Sequence, residues 1–265
     1  MKTTRQLLIA LVSAASLAAA GCNSSPGKPG PDPEVPRPDQ VLDFQTLYKT
    51  NCVACHGDVQ NPGAAISITN PVLLQVIGED NIKDILDHGV PGKLMPAFGT
   101  SGGGMLTEQQ VGILASGLIS TYGKPGSLQG QNPPPFKPTL RANVEAGQKA
   151  YTTYCASCHG ASGEGNPTLK EGSIVDQQYL ALISDQELRS YVIAGASGMP
   201  DWRSDVAGHP PSHPMTDQEV TDVVAWLASH RSPSSPVSSP PVPDNGTGPN
   251  HQPAQRVQHE PSSIR

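Results

Sequence analysis

Two runs in this chain place thiols and an imidazole at one spacing: Cys52-Val53-Ala54-Cys55-His56 and Cys155-Ala156-Ser157-Cys158-His159. Several chemistries use paired thiols. Zinc sites built from two such pairs keep them roughly 15–20 residues apart, whereas these stand about a hundred apart. A dithiol redox pair needs a strand and a helix around one motif, and the flanking sequence offers neither. Structural disulfides give no reason for a histidine after both pairs. What remains is covalent attachment of haem, in which each thiol adds across a vinyl group to form a thioether and the next side chain projects toward the iron. On this reading Cys52 and Cys55 hold one haem with His56 as proximal ligand, and Cys155 and Cys158 hold a second with His159. The expected cofactors are two covalently bound c-type haems.

The segments around the motifs repeat each other. Tyr48 to Gly57 aligns without a gap on Tyr151 to Gly160, and Leu106-Thr107-Glu108-Gln109-Gln110-Val111 aligns on Met215-Thr216-Asp217-Gln218-Glu219-Val220. The chain therefore reads as a duplicated small domain, all-α, with about three short helices and long loops per copy. In the second copy a helix leads into Cys155, with Val144, Ala150, Tyr151 and Tyr154 as core candidates. Another starts at Ser184, where Ser184 and Glu187 form a capping box and Ile183 staples against Leu188, and it stops at Gly195. The last starts at Thr216 with Glu219 completing a box and Met215 stapling against Val220. Thr107, Gln110, Leu106 and Val111 repeat that start in the first copy.

Composition points to a folded part smaller than the chain, since 28 prolines and 27 glycines occur among 265 residues. Aromatic residues make up only 4%, which leaves little bulky apolar material for two cores. A haem would supply the missing surface, with Ile82, Ile85 and Leu86 packing on one and Leu188, Tyr191 and Val192 on the other. The net charge of -6, with no basic cluster, argues against nucleic acid as a partner.

Both ends of the chain read as something other than packed domain. Lys2 and Arg5 followed by an apolar run from Leu7 to Ala20 read as an export signal spanning residues 1–21. The small residues Ala19-Ala20-Gly21 before Cys22 resemble a bacterial lipobox, which would make Cys22 the lipidated first residue of the mature chain. A transmembrane anchor is the rival, but the run is short for the roughly 20 residues that a bilayer core requires. Either way the remainder lies outside the cytoplasm, on the periplasmic or outer-surface side of a bacterial membrane and attached to it. A proline-rich linker follows over residues 22–40, and residues 123–142 form a second one containing Pro133-Pro134-Pro135. The domains thus expected are 41–122 and 143–231, with a disordered tail over 232–265.

With the motifs and the duplication in view, the sequence resembles the class I cytochrome c family in its tandem dihaem form, as in cytochrome c4. The resemblance covers residues 41–122 and 143–231 and implies a methionine as second axial ligand, from a loop before the last helix and commonly followed by proline. Met95-Pro96 and Met199-Pro200 match that position, whereas Met215 aligns with Leu106 and Met105 has no methionine counterpart. The family also implies a close crossing of first and last helices, glycine against aromatic. Gly147 and Tyr151 with Trp226 fit this in the second copy, while the first has Phe44 in place of Gly147 and Gly117 in place of Trp226. Bulk has changed sides, so Phe44 should touch Gly117. His88 is read as a helix C-terminal residue and His209 and His213 as loop residues rather than metal ligands.

Six-coordinate irons would only change charge. The resemblance therefore implies an electron carrier without a small-molecule substrate, working between redox proteins in a respiratory or photosynthetic chain. The alternatives are a cytochrome subunit of a larger dehydrogenase or oxidase, or a dihaem peroxidase. The last would need one open iron, against which a methionine in each copy speaks.

Overall fold

The computed structural model describes residues 35–196, 198–203 and 213–232. Cys22, the export signal, the linker before residue 35, His209 and the tail from residue 233 lie outside the described residues. Among those described, all regular structure is helical apart from isolated bridges.

In the first copy α1 (Phe44–Asn51) runs into a single turn, α2 (Val53–His56), then α3 (Pro71–His88) and α4 (Glu108–Tyr122). The second copy repeats this with α5 (Val144–Tyr154), α6 (Ala156–His159), α7 (Gln177–Leu182), α8 (Asp185–Ala194) and α9 (Asp217–Ala228). α3 breaks at Gly78 (φ 70°, ψ 162°), so its two halves correspond to α7 and α8. These elements exceed the three helices per copy expected from periodicity, because single-turn helices such as α2 and α6 are too short to show any.

Helix starts follow the capping chemistry of the sequence. Thr107 accepts from Gln110 N–H at 3.2 Å while the Gln110 side chain accepts from Thr107 N–H at 3.0 Å. Thr216 and Glu219 do the same, at 3.2 and 2.8 Å. The stapling pairs are buried: Leu106 and Val111, Met215 and Val220, Ile183 and Leu188. Ser184 caps α8 through Glu187 N–H at 3.0 Å, and α8 ends at Gly195 with φ 70°. Burial raises the Glu187 carboxyl above its ordinary value, opposed by the nearby N–H groups of Ser184 and of Ile66 in the other copy. Ala150 and Tyr151 are buried as expected, but Val144 is 45% exposed. It occupies the first turn of α5, ahead of the crossing with α9 that buries the rest of that face.

First and last helices cross in each copy, α1 with α4 and α5 with α9, while α3 and α8 pack on α4 and α9. The inverted bulk is present. A Cβ on Gly117 would collide with the Phe44 ring, and one on Gly147 would collide with the Asp222 carbonyl and lie 2.8 Å from Trp226 Cβ. In the second copy the space feeds a stack of Tyr151 on Trp226, centroids 4.3 Å apart; in the first, Phe44, Tyr48 and Tyr122 form a ring cluster at 5.8–6.3 Å.

The two copies are docked on each other. Val72 and Leu73 of α3 belong to the apolar cluster of the second copy, which includes Leu180, Leu188, Ile193 and Val223. Burying two such side chains contributes about 1.5–3 kcal/mol each. Lys93 Nζ donates to Ala181 O at 2.7 Å, and Asn70 Nδ2 to Ala194 O at 2.9 Å.

Residues 123–142, read from composition as a linker, are mostly exposed but anchored at a few points. Phe136 is 7% exposed, and the buried Arg189 donates to the Pro135 carbonyl at 2.9 and 3.0 Å and to the Phe136 carbonyl at 3.1 Å. Its remaining donors meet Thr221 at 3.0 Å and the Asp217 carboxylate. Ser127 donates to Pro71 O at 3.2 Å and accepts from Arg203 at 2.9 Å, touching both copies. Proline composition signals an extended backbone; it does not say whether side chains elsewhere will satisfy that backbone's carbonyls.

Candidate haem sites

Each thiol pair sits on one tight turn at the end of a helix. In the first copy Cys52 N–H donates to Tyr48 O at 2.8 Å, His56 N–H to Cys52 O at 2.9 Å and Gly57 N–H to Val53 O at 2.9 Å. The second copy repeats the ladder with Cys155 to Tyr151 at 2.9 Å, His159 to Cys155 at 3.0 Å and Gly160 to Ala156 at 3.0 Å. A buried tyrosine ties each turn to its helix: Tyr48 Oη donates to Gly57 O at 2.8 Å and Tyr151 Oη to Gly160 O at 2.6 Å. Both tyrosines precede the first cysteine by one helical turn, and the gapless repeat held that signal. Periodicity marked Tyr151 only as core and missed the hydroxyl's role. Replacing Tyr151 with phenylalanine keeps the stack on Trp226 but strands the Gly160 carbonyl, so denaturant unfolding of the second copy should show a loss of about 1–2 kcal/mol.

The four cysteines of the two motifs form no disulfide. Burial, with a smaller contribution from the neighbouring cysteine, pushes Cys52 up to about 11 and Cys155 up to about 12. Both are protonated at neutral pH, so neither is a preformed thiolate.

Burial also holds both imidazoles below the usual histidine range, keeping them neutral and able to donate a lone pair. The Ile66 carbonyl beside His56 and the Glu171 charge near His159 oppose that shift in part. His56 Nδ1 lies 2.7 Å from Ile66 O, which fixes the tautomer with its hydrogen on Nδ1 and leaves Nε2 as the donor atom. His159 Nδ1 is the one buried side-chain nitrogen or oxygen among the described residues without a hydrogen-bond partner. The protonated first thiols, Cys52 and Cys155, and the neutral imidazoles on matched turns fit a covalently attached haem in both copies.

Met95 and Met199 occupy equivalent loops after α3 and α8, each half-buried. Each loop folds back on the glycine that ends the preceding helix. Val90 N–H donates to Met95 O at 3.0 Å, and Ala196 and Met199 exchange backbone bonds at 3.1 and 3.0 Å. Gly89 (φ 67°) and Gly195 (φ 70°) carry no Cβ because the loop backbone occupies that space: a Cβ would lie 2.7 Å from Met95 O or 2.6 Å from Met199 O. Met105 is 92% exposed and Met215 is buried in the core beside Val220, its N–H bonded to Trp202 O at 2.9 Å. Sequence reading identified Gly195 as a helix stop but not as the seat of the methionine loop. His88 ends α3 with Nδ1 3.1 Å from Asp84 O, and His213 Nδ1 lies 2.7 Å from Pro214 O.

Residues 144–231 match the cytochrome c family profile, and residues 39–116 match that of cytochrome c oxidase, cbb3-type, subunit III. The chain belongs to the class I cytochrome c family, with two domains in tandem. This cytochrome is similar to the cbb3-type cytochrome c oxidase subunit FixP of Sinorhizobium medicae, at 26% identity over 168 residues covering 59% of this chain and 52% of the relative. It thus spans about half the length of that protein. A chain of the Kuenenia stuttgartiensis reducing HAO-like protein complex matches 76% of this chain and 100% of its own at 18% identity, with a TM-score of 0.40. Two such domains imply binding of c-type haem.

Proposed function

We propose that this cytochrome is a dihaem carrier of single electrons, with one haem per copy. Cys52 and Cys55 hold the first through thioethers, with His56 and Met95 on the iron; Cys155 and Cys158 hold the second, with His159 and Met199. The observation that carries this reading is the repetition, in both copies, of the same hydrogen-bonded thiol–imidazole turn and the same glycine-seated Met-Pro loop. Bound haem supplies a one-electron couple, and thioether ligation raises its potential relative to other ligand sets. The chain's own residues keep that couple simple. His56 is oriented by the Ile66 carbonyl, the two tyrosines hold the turns, and a methionine on each iron leaves no position for peroxide.

The second reading, a subunit of a larger oxidase, is favoured by the subunit III profile over residues 39–116 and by the FixP relative. Both readings have redox proteins as partners. Both also place the protein outside the cytoplasm at a bacterial membrane, held through lipid on Cys22. No helix among the described residues is long and apolar enough to cross a membrane.

Met95→Ala and Met199→Ala, made separately in the full-length haem protein, should each remove about half of the weak methionine-to-iron absorption band and open one iron to added imidazole. A variant that keeps the whole band would remove that methionine from the ligand set. An oxidised wild-type spectrum with one open iron would turn the reading toward the peroxidase.

A further inference from the structure

We infer that Asn70 of the first copy is a positioning residue for the Met199 loop of the second, an inference that rests on the proposed ligation by Met199. One carboxamide serves two helix ends. Its oxygen caps the start of α3, accepting from Val72 N–H at 2.9 Å and Leu73 N–H at 3.3 Å. Its nitrogen donates to Ala194 O at 2.9 Å, the last carbonyl of α8, which no turn of helix follows to satisfy, and to O of the capping Gly195 at 3.3 Å. From there the path to the methionine is short. Gly195 packs against Met199 O with no room for a Cβ, and Met199 is bonded back to Ala196. Val72 and Leu73, two and three residues after Asn70, are buried in the second copy's apolar cluster, so the carboxamide is held in place from behind.

The repeat shows why the residue is asparagine. Asp176, the corresponding cap at the start of α7, accepts from Gln178 N–H at 2.9 Å and Tyr179 N–H at 3.0 Å. A carboxylate is therefore an adequate cap in this fold. What asparagine adds is a donor, and that donor is spent on the other copy. In a copy standing alone the α8 carbonyls would face water, and the loop that carries Met199 would be free to leave the iron. Docking of the first copy thus sets the stiffness of the second copy's methionine.

Asn70→Asp preserves the cap and deletes the donor, which makes the test selective. It is made in full-length haem protein in two backgrounds. With Met95→His, the methionine-to-iron band comes from the second copy alone; with Met199→His, it comes from the first. Imidazole, which competes with methionine for the iron, is then titrated against the band. In the Met95→His background Asn70→Asp should lower the imidazole concentration that displaces half the band by about tenfold, the worth of one lost hydrogen bond. In the Met199→His background the titration should not move, which also reports that the first copy is still folded. No shift in the Met95→His background, or equal shifts in both, would overturn the inference. If Met199→His removes none of the wild-type band, the ligand assignment itself fails and takes the inference with it, a result distinct from the other two.

Discussion

Replacing Cys155 and Cys158 together with alanine is expected to lower the covalently bound haem from two per chain to one and to abolish the cooperative unfolding of the second copy. Its polypeptide core has three buried aromatic side chains, Tyr151, Trp202 and Trp226, and otherwise consists of aliphatic residues and Met215, in a chain that is 4% aromatic. A unit of this size is marginal from chain burial alone, and a bound group that favours the folded state adds its binding free energy to stability. The loop between α6 and α7 carries no helix and needs a rigid body to lie against. Haem content is read from the alkaline pyridine spectrum and from intact mass, and unfolding from far-ultraviolet dichroism on heating. Two haems per chain, or an unchanged melting transition of the second copy, would remove the prosthetic group from the account of its stability.

The second large effect concerns the helix crossing. Gly117→Trp alone is expected to cost about 3 kcal/mol or more, because any side chain there drives into the Phe44 ring and the crossing of α1 with α4 cannot open without unpacking Leu47, Leu114 and Leu118. Phe44→Gly alone leaves a hole beside Tyr48 and Tyr122 and should cost roughly the same. Together the two changes install the arrangement of the second copy, glycine on the first helix and tryptophan on the last. Most of the loss should then be recovered, a coupling well above the few tenths of a kcal/mol expected for independent sites. Denaturant unfolding of the two single variants and the double one measures it; strict additivity would mean that the positions do not share one space.

Much of this was legible in the chain because duplication lets one copy check the other. Two identical thiol–imidazole spacings, two Thr-started helices and two Met-Pro pairs are each a weak signal that recurrence makes strong. The exchange between Phe44 and Gly117 was also readable, since volume is conserved across a contact even when the residues are not. What escaped notice depends on where a polar atom finds its partner. Asn70 reads as a helix cap, and nothing local says that its other end reaches a segment 124 residues away. Arg189 reads as one more charge on a helix until it is found buried under the carbonyls of Pro135 and Phe136. Val144 failed for a related reason: its position in α5 is set by where the crossing with α9 begins, which no single-helix pattern records.

The strap formed by residues 123–142 bears on how a pair of redox centres would behave. Because Ser127 is held by both copies and Arg189 grips the strap's far end, the spacing between them is a product of folding rather than of chance encounter. Exchange within such a pair would be first order, indifferent to dilution and to the viscosity of the medium. Only the outward hops, to and from other proteins, would slow as the solvent thickens.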